Sequence, residues 1–210
     1  MSATSAYWES VYRSKRDRET SWFQEEPNPS LDLVRTYAHR GGRIVDVGGG
    51  SSALAGRLAA DGFDVTVLDV SSAAIERAKA RSGELAQRIH WIIGDVTQAH
   101  DLGQFDVWHD RAVFHFLTNP DDRRRYVDLA ERSIVVGGHL IMATFALDGP
   151  EKCSGLPVVR YDEPALHATV GASFTTLRAF QHAHITPWGK PQGFLFTIMR
   201  RQASVPDPRC

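Results

Sequence analysis

The sequence predicts an α/β fold: a mostly parallel sheet sandwiched between helices. Three observations carry that expectation. Strand-like and helix-like runs alternate from Arg43 to Phe145, the order produced by βαβ units. Between Arg43 and Asp69 the chain reads R-I-V-D-V-G-G-G-S-S-A-L-A-G-R-L-A-A-D-G-F-D-V-T-V-L-D: an apolar strand, a three-glycine turn, a helix, and a second strand ending on an acid. A third strand, I-H-W-I-I-G-D-V, delivers Asp95 to the same edge.

Each element follows from local pattern. From about Ser5 to Lys15, Tyr7, Trp8, Val11 and Tyr12 recur at spacings of three and four, which predicts a helix with one aromatic face. A polar loop follows, with Trp22 and Phe23 isolated among charges. Ser30 after Pro29 predicts a capped helix to Ala38. The chain then gives strand 43–47, a helix 52–61 opening at Ser51 or Ser52, strand 64–69, helix 72–82, strand 89–93 and strand 105–108. Asn119-Pro120 opens a charged helix from about Asp121 to Ser133, and Gly137-Gly138 leads into the strand H-L-I-M-A-T-F-A. The tail predicts a helix near Glu163 to Thr169 and two strands, 174–184 and 192–200, joined by T-P-W-G-K-P. The last eight or so residues are expected to be disordered.

Composition narrows the function classes. With 210 residues, 42% hydrophobic and 23% charged, the chain has material for one substantial core. A net charge of −1 gives bulk electrostatics no reason to favour nucleic acid or a membrane surface. No apolar stretch approaches the roughly twenty residues of a membrane span, and the polar start lacks a secretory apolar run, so the expected compartment is the cytoplasm. Cys153 and Cys210 have neither metal-ligand spacing nor a reason to pair, and no metal site is expected. His182 and His184 alternate on a predicted strand and share one face.

The glycine turn and the strand-end acids specify a ligand. Gly48 and Gly50 permit a turn that approaches a ligand closely, and the following helix directs free N–H groups toward it. Asp69 ends the second strand where a carboxylate can take both hydroxyls of a ribose. Gly48, Gly50 and Ala53 also satisfy the dinucleotide fingerprint, so glycines alone do not exclude NAD. Asp46 decides against it: a carboxylate two residues before Gly48 repels a pyrophosphate and attracts a sulfonium and an ammonium. Three acids with no basic residue among them suit S-adenosylmethionine.

On these residues, Ile44 to about Gly138 resembles the class I S-adenosylmethionine-dependent methyltransferases, with Asp46-Val47-Gly48-Gly49-Gly50-Ser51-Ser52 as their first motif. The resemblance implies a Rossmann-like, seven-stranded, mostly parallel sheet with an antiparallel C-terminal strand pair and an N-terminal helical lid. It implies one domain over 1–210: lid and helix 1–40, cofactor-binding core 41–148, acceptor-side loop and closing strands 149–200, and tail 201–210. Carried over by residue, Asp46 with Gly48, Gly49 and Gly50 faces the methionine part, Asp69 with Val70 the ribose, and Asp95 with Val96 the adenine.

The fourth strand runs through F-D-V-W-H-D-R-A-V-F-H-F-L and places Trp108, His109, Asp110, Arg111 and His115 around the predicted mouth. His109 and His115 are candidate bases, with packing or cofactor contact as the alternative. Asp110 is expected near the methyl donor, or as the cap of a short helix beginning at Arg111 or Ala112. The stretches H-D-R-A, N-P-D-D-R-R-R-Y and G-P-E-K-C-S-G-L-P-V partly resemble the thiopurine, halide and thiol methyltransferase branch, without its double proline. Its aromatic lid implies that Trp8, Tyr12 and Trp22 close over cofactor and acceptor; an amphipathic helix merely packed on the sheet is the alternative. Phe145, Cys153, Arg160, Tyr161 and Trp188 are weaker acceptor-side candidates. The expected activity is methyl transfer to a small molecule, with a thiol or other soft nucleophile as the candidate acceptor. The alternatives are a protein lysine methyltransferase and, further off, an NAD-dependent or non-catalytic nucleotide-binding protein.

Overall fold

The computed structural model describes residues 3–203; the tail beyond them, with Cys210, lies outside the described residues. Its main sheet has seven strands: β1 (Arg43–Val47), β2 (Asp64–Asp69), β3 (Ile89–Ile93), β4 (Phe105–Arg111), β5 (Ile134–Phe145), β8 (Phe174–Ile185) and β9 (Pro191–Arg201). A two-stranded ribbon, β6 (Lys152–Cys153) and β7 (Leu156–Pro157), follows β5. The sheet order is β3-β2-β1-β4-β5-β9-β8. The pairings from β3 to β5 are parallel, and β9 pairs antiparallel with both β5 and β8.

Among the described residues six α-helices accompany the sheet: α1 (Ala3–Ser14), α2 (Ser30–Tyr37), α3 (Leu54–Ala60), α4 (Ser72–Ser82), α5 (Pro120–Ser133) and α6 (Glu163–Val170). Alternate residues of each central strand serve opposite faces. Ile44, Val107, Ile141 and Phe196 pack with Val34, Leu54, Leu58 and Ile75 from α2, α3 and α4. Val45, Trp108, Leu140 and Met199 pack with Tyr126, Leu129 and Leu166 from α5 and α6. Strand order reverses between β1 and β4, and such a reversal leaves a crevice at the strands' carboxyl ends.

Several element ends differ from the sequence expectation, β5 among them, which starts at Ile134 and not after Gly138; three differences have a local reason. α3 starts at Leu54 because Ser52 N–H closes a turn onto the Gly49 carbonyl at 3.0 Å, and the Ser52 hydroxyl accepts from Leu54 N at 3.1 Å. Ser30 does not cap α2: Pro29 holds the cap position, and Ser30 is already helical with its hydroxyl engaged elsewhere. β4 runs on to Arg111, three residues past its expected end, because the ladder with β5 continues to Arg111 opposite Ala143.

Candidate active site

A cavity of about 170 Å³ lies at the carboxyl ends of β1, β2 and β4, bounded by the glycine turn and the N-terminal segment. Gly48 and Gly50 have φ of 67° and 53°, backbone angles that L side chains rarely adopt. A Cβ at Gly48 would strike Val113, and one at Gly50 would strike the Tyr12 hydroxyl, so the turn admits neighbours only because it lacks side chains. Asp69 fastens this turn to β2: its Oδ2 accepts from Gly50 N and its Oδ1 from Ser71 N, both at 2.8 Å. Burial pushes the Asp69 carboxyl up to about 6, against the pull of those two donors. Val70, Asp95 and Val96 line the next stretch of wall, where Asp95 Oδ1 accepts from Thr97 N at 2.9 Å and Thr97 Oγ1 at 2.7 Å.

Thr4, Trp8, Tyr12, Trp22 and Phe23 of the N-terminal segment line the cavity. Trp8 meets Trp22 and Phe116 edge-on, with ring centroids 5.7 and 5.0 Å apart, and Tyr12 meets Trp22 at 6.0 Å. Sequence reasoning missed the residue that docks this helix. Glu9 accepts from Ser71 Oγ at 2.7 Å, Ser72 Oγ at 3.0 Å and Ala73 N at 3.1 Å, completing the N-terminus of α4, where the helix dipole also favours an anion. These donors, that of Ser71 first, hold the Glu9 carboxyl down at about 2. On the other side His184 of β8 donates Nε2–H to the Ser21 carbonyl at 2.7 Å, and Tyr7 donates to the Ser154 carbonyl beyond β6. Glu9 followed within a few residues by aromatics carries no signal of its own, because its partners lie more than sixty residues away.

Asp46 and His109 are register partners on adjacent parallel strands and face the same side. His109 Nδ1 lies 2.8 Å from Asp46 Oδ1, and its Nε2 lies 2.8 Å from Ser30 Oγ. A carboxylate only accepts, so Nδ1 carries the proton and Nε2 accepts from the Ser30 hydroxyl. All three residues are buried and all three line the cavity. Arg111, two residues along β4, lines the same wall. His109 and Arg111 share a face because strand side chains alternate.

Two candidate residues lie away from the cavity, Asp110 by the same alternation and His115 by its place in the helical turn after β4. Asp110 does not reach the mouth: it points to the opposite face, where it is fully buried. Its carboxylate accepts from Tyr126 Oη at 2.5 Å, Val113 N at 2.8 Å and Phe114 N at 3.0 Å, and Trp108 donates Nε1–H to Tyr126 Oη at 2.8 Å. Asp110 therefore pins the turn after β4, close to its capping alternative, and neither the catalytic nor the cofactor contact expected of it is available. His115 is also buried outside the cavity wall, packed between Phe116 and Phe145, with Nδ1 accepting from Phe145 N at 3.2 Å. Burial, then the charge of Arg111, pushes its imidazole down to about 3, too weak for a base near neutrality. Of the weaker candidates, Cys153 lines the cavity, Arg160 is bonded to the Leu147 and Gly149 carbonyls, Tyr161 is buried on the α5 face, and Trp188 is exposed.

This sheet order, with a glycine turn and acids at its reversal point, is that of a class I methyltransferase fold. Residues 44–138 match the family model described as a methyltransferase domain, so the chain carries a methyltransferase domain. It is similar to the N-methyltransferase NodS from Bradyrhizobium japonicum WM9, solved with S-adenosylhomocysteine: 18% identity over 95% of this chain and 99% of that one, TM-score 0.73. It is similar at 18% identity to 1,6-didemethyltoxoflavin-N1-methyltransferase from Burkholderia thailandensis over 96% of this chain and 85% of that one, TM-score 0.68. A structure from work on the conversion of a disulfide bond into a thioacetal group during echinomycin biosynthesis shares 18% identity over 94% and 93% of the two chains, TM-score 0.76. At these identities the likenesses show the fold. No curated protein matches the chain. Among the described residues no helix is long and apolar enough to cross a membrane.

The cavity fits S-adenosylmethionine, the cofactor of the class. Gly48 and Gly49 present bare backbone to the cavity, and Asp46, Asp69 and Asp95 line it with carboxylates suited to a cation and to ribose and adenine donors.

Proposed function

We propose that the chain methylates a small molecule enclosed beneath its N-terminal segment, and that His109 takes the acceptor's proton when one must leave. The observation that carries this reading is the buried Asp46–His109–Ser30 chain in the wall of a cavity closed by Trp8 and Trp22. When bound, S-adenosylmethionine supplies an electrophilic methyl group on a positive sulfur.

The protein's own residues supply position and proton transfer. Asp69 with Val70 and Asp95 with Val96 are assigned the ribose and adenine. Gly48, Gly49 and Gly50 are assigned close backbone approach to the methionine part, with Asp46 beside them. Trp8, Tyr12 and Trp22 exclude water and hold the acceptor in line. Ser30 Oγ accepts the acceptor's hydrogen and donates its own to His109 Nε2, and Asp46 stabilises the resulting imidazolium. A thiol needs little of this help because it ionises readily, whereas an alcohol or ammonium needs more.

A thiol or other soft nucleophile is our preferred acceptor. One structural neighbour comes from disulfide-to-thioacetal chemistry, and others named above methylate nitrogen. A protein lysine is the less favoured acceptor, because Trp8, Trp22 and Phe116 meet ring on ring above the cavity instead of framing an open acidic groove. The test is calorimetric titration with S-adenosylmethionine, S-adenosylhomocysteine and NAD, followed by S-adenosylhomocysteine release with small thiols, small amines and a lysine peptide. Turnover with the peptide alone, or binding of NAD alone, would sink the reading.

A further inference from the structure

We propose that Arg111 is the recognition site for an anionic group on the acceptor, a carboxylate, so that the substrates are acid-bearing small molecules. This rests on the methyltransferase reading above and names its acceptor class.

Arg111 lies at the end of β4, two residues beyond His109 on the same face, and lines the cavity. Its guanidinium donates Nη1–H to the Trp22 carbonyl at 3.0 Å and stacks over Phe194, 5.1 Å from the ring centroid. Its Nη2 is buried and has no partner. A guanidinium has five donors in a planar fork, and here one is used. A partly buried cation with no direct ion pair is unfavourable, and stacking on an aromatic face offsets only part of that cost.

Among the described residues no carboxylate forms an ion pair with it. His115 from the turn after β4, and His182 and His184 from β8, are held neutral by burial first and then by the charge of Arg111, which together push His184 down to about 4. Cys153 of β6 is pushed up to about 11 by burial and stays a thiol. The acid that Arg111 feels is Asp46, whose Oδ1 is already bonded to His109. A carboxylate in the cavity would take the unused Nη2 fork in a charge-assisted pair. The cofactor's sulfonium would add a second positive charge, so an anionic acceptor complements the loaded site. Arg111 is surrounded by β6, β8 and β9, on the far side of β4 from the glycine turn and from Asp69 and Asp95. That position favours the acceptor's carboxylate over the cofactor's own.

The test uses the full chain saturated with S-adenosylhomocysteine and three matched pairs: benzoate and benzamide, 3-mercaptopropionate and ethanethiol, anthranilate and aniline. Tryptophan fluorescence reads binding, since Trp8 and Trp22 line the cavity. The expected result is preference for the acid in at least one pair by about tenfold or more, abolished in Arg111→Met while affinity for S-adenosylhomocysteine stays within about threefold. No preference in any pair overturns the proposal, and the wild-type comparison decides this even if R111M misfolds. Retained preference in a folded R111M also overturns it. Loss of S-adenosylhomocysteine affinity in R111M would show that the arginine holds the cofactor's carboxylate instead. Failure of the wild-type chain to bind S-adenosylhomocysteine would sink the underlying methyltransferase reading, a distinct outcome.

Discussion

His109 on β4 donates to Asp46 on β1 at 2.8 Å across a parallel ladder that makes the two residues register partners. The pair links the glycine turn's strand to the strand that carries Arg111, and its free end bonds Ser30 at the start of α2. Asp46 thereby has two faces: Oδ1 on His109, and Oδ2 beside Gly49, where an added Cβ would lie 2.7 Å away.

Replacing His109 by Gln should keep cofactor binding and lower turnover by about one hundred- to ten thousand-fold with an amine or alcohol acceptor, less with a thiol. Ser30→Ala should lower turnover in the same direction, because the proton then lacks its bridge to Nε2. Steady-state kinetics at several pH values, beside calorimetry with S-adenosylhomocysteine, separates the effects. Equal loss of binding and turnover would make the imidazole a packing group.

Asp69→Ala should cost about 1 to 3 kcal/mol of cofactor affinity with the fold retained, because a charge-assisted contact to the ribose is removed. The same substitution frees Gly50 N and Ser71 N, so local exchange of those two amides should quicken. Hydrogen exchange with calorimetry checks both. Unchanged affinity in a folded variant would remove Asp69 from the site.

Asp110 should dominate a mild acid dependence of stability. Burial raises its carboxyl to about 6, above the ordinary value of 3.8. Between those values the folded chain keeps a proton that the unfolded chain has lost, so stability falls as pH rises from about 4 to above 6, by about 1 to 3 kcal/mol. Asp69 adds to the same slope. Asp110→Asn should flatten it without weakening cofactor binding, as measured by denaturant unfolding across this window. A variant whose profile stays as steep as wild type would contradict this assignment.

Glu9 should act in the opposite sense. Its carboxyl lies at about 2, below the ordinary 4.5, because Ser71, Ala73 and Ser72 donate to it. Its contribution is fully present above pH 4.5 and fades as pH falls toward 2. Glu9→Gln should loosen α1 at neutral pH by about 1 kcal/mol, visible as faster proteolysis before Asp17 and higher tryptophan quenching. Protection equal to wild type would show that the aromatic face alone docks the helix.

Tyr126→Phe removes the hydroxyl that joins Trp108 to Asp110. It should cost about 1 to 3 kcal/mol of stability, because a buried carboxylate loses a donor, while leaving cofactor affinity intact. Chemical denaturation and calorimetry give the two readings, and a fall in affinity with stability unchanged would reverse the assignment of Asp110 to the structural face.

Sequence alone determined the order of strands and helices, because apolar period, glycines and prolines act over a few residues: β1, β2 and β3 fall where the pattern puts them. It also brought Asp46, Asp69, Asp95 and the glycine turn to one edge, because strand ends in a parallel sheet share a side. Tertiary structure decided which side chains meet there. F-D-V-W-H-D-R reads as one cluster along the chain, yet the two-residue period sends His109 and Arg111 to the cavity and Asp110 to Tyr126. Ser30 looked like a helix cap and became the partner of His109, and Glu9 became the anchor of α1, since both depend on contacts more than sixty residues apart. The partnerless Nη2 of Arg111 is visible only once β6, β8 and β9 surround it, because the want of a direct partner is a property of the packed environment and not of the arginine.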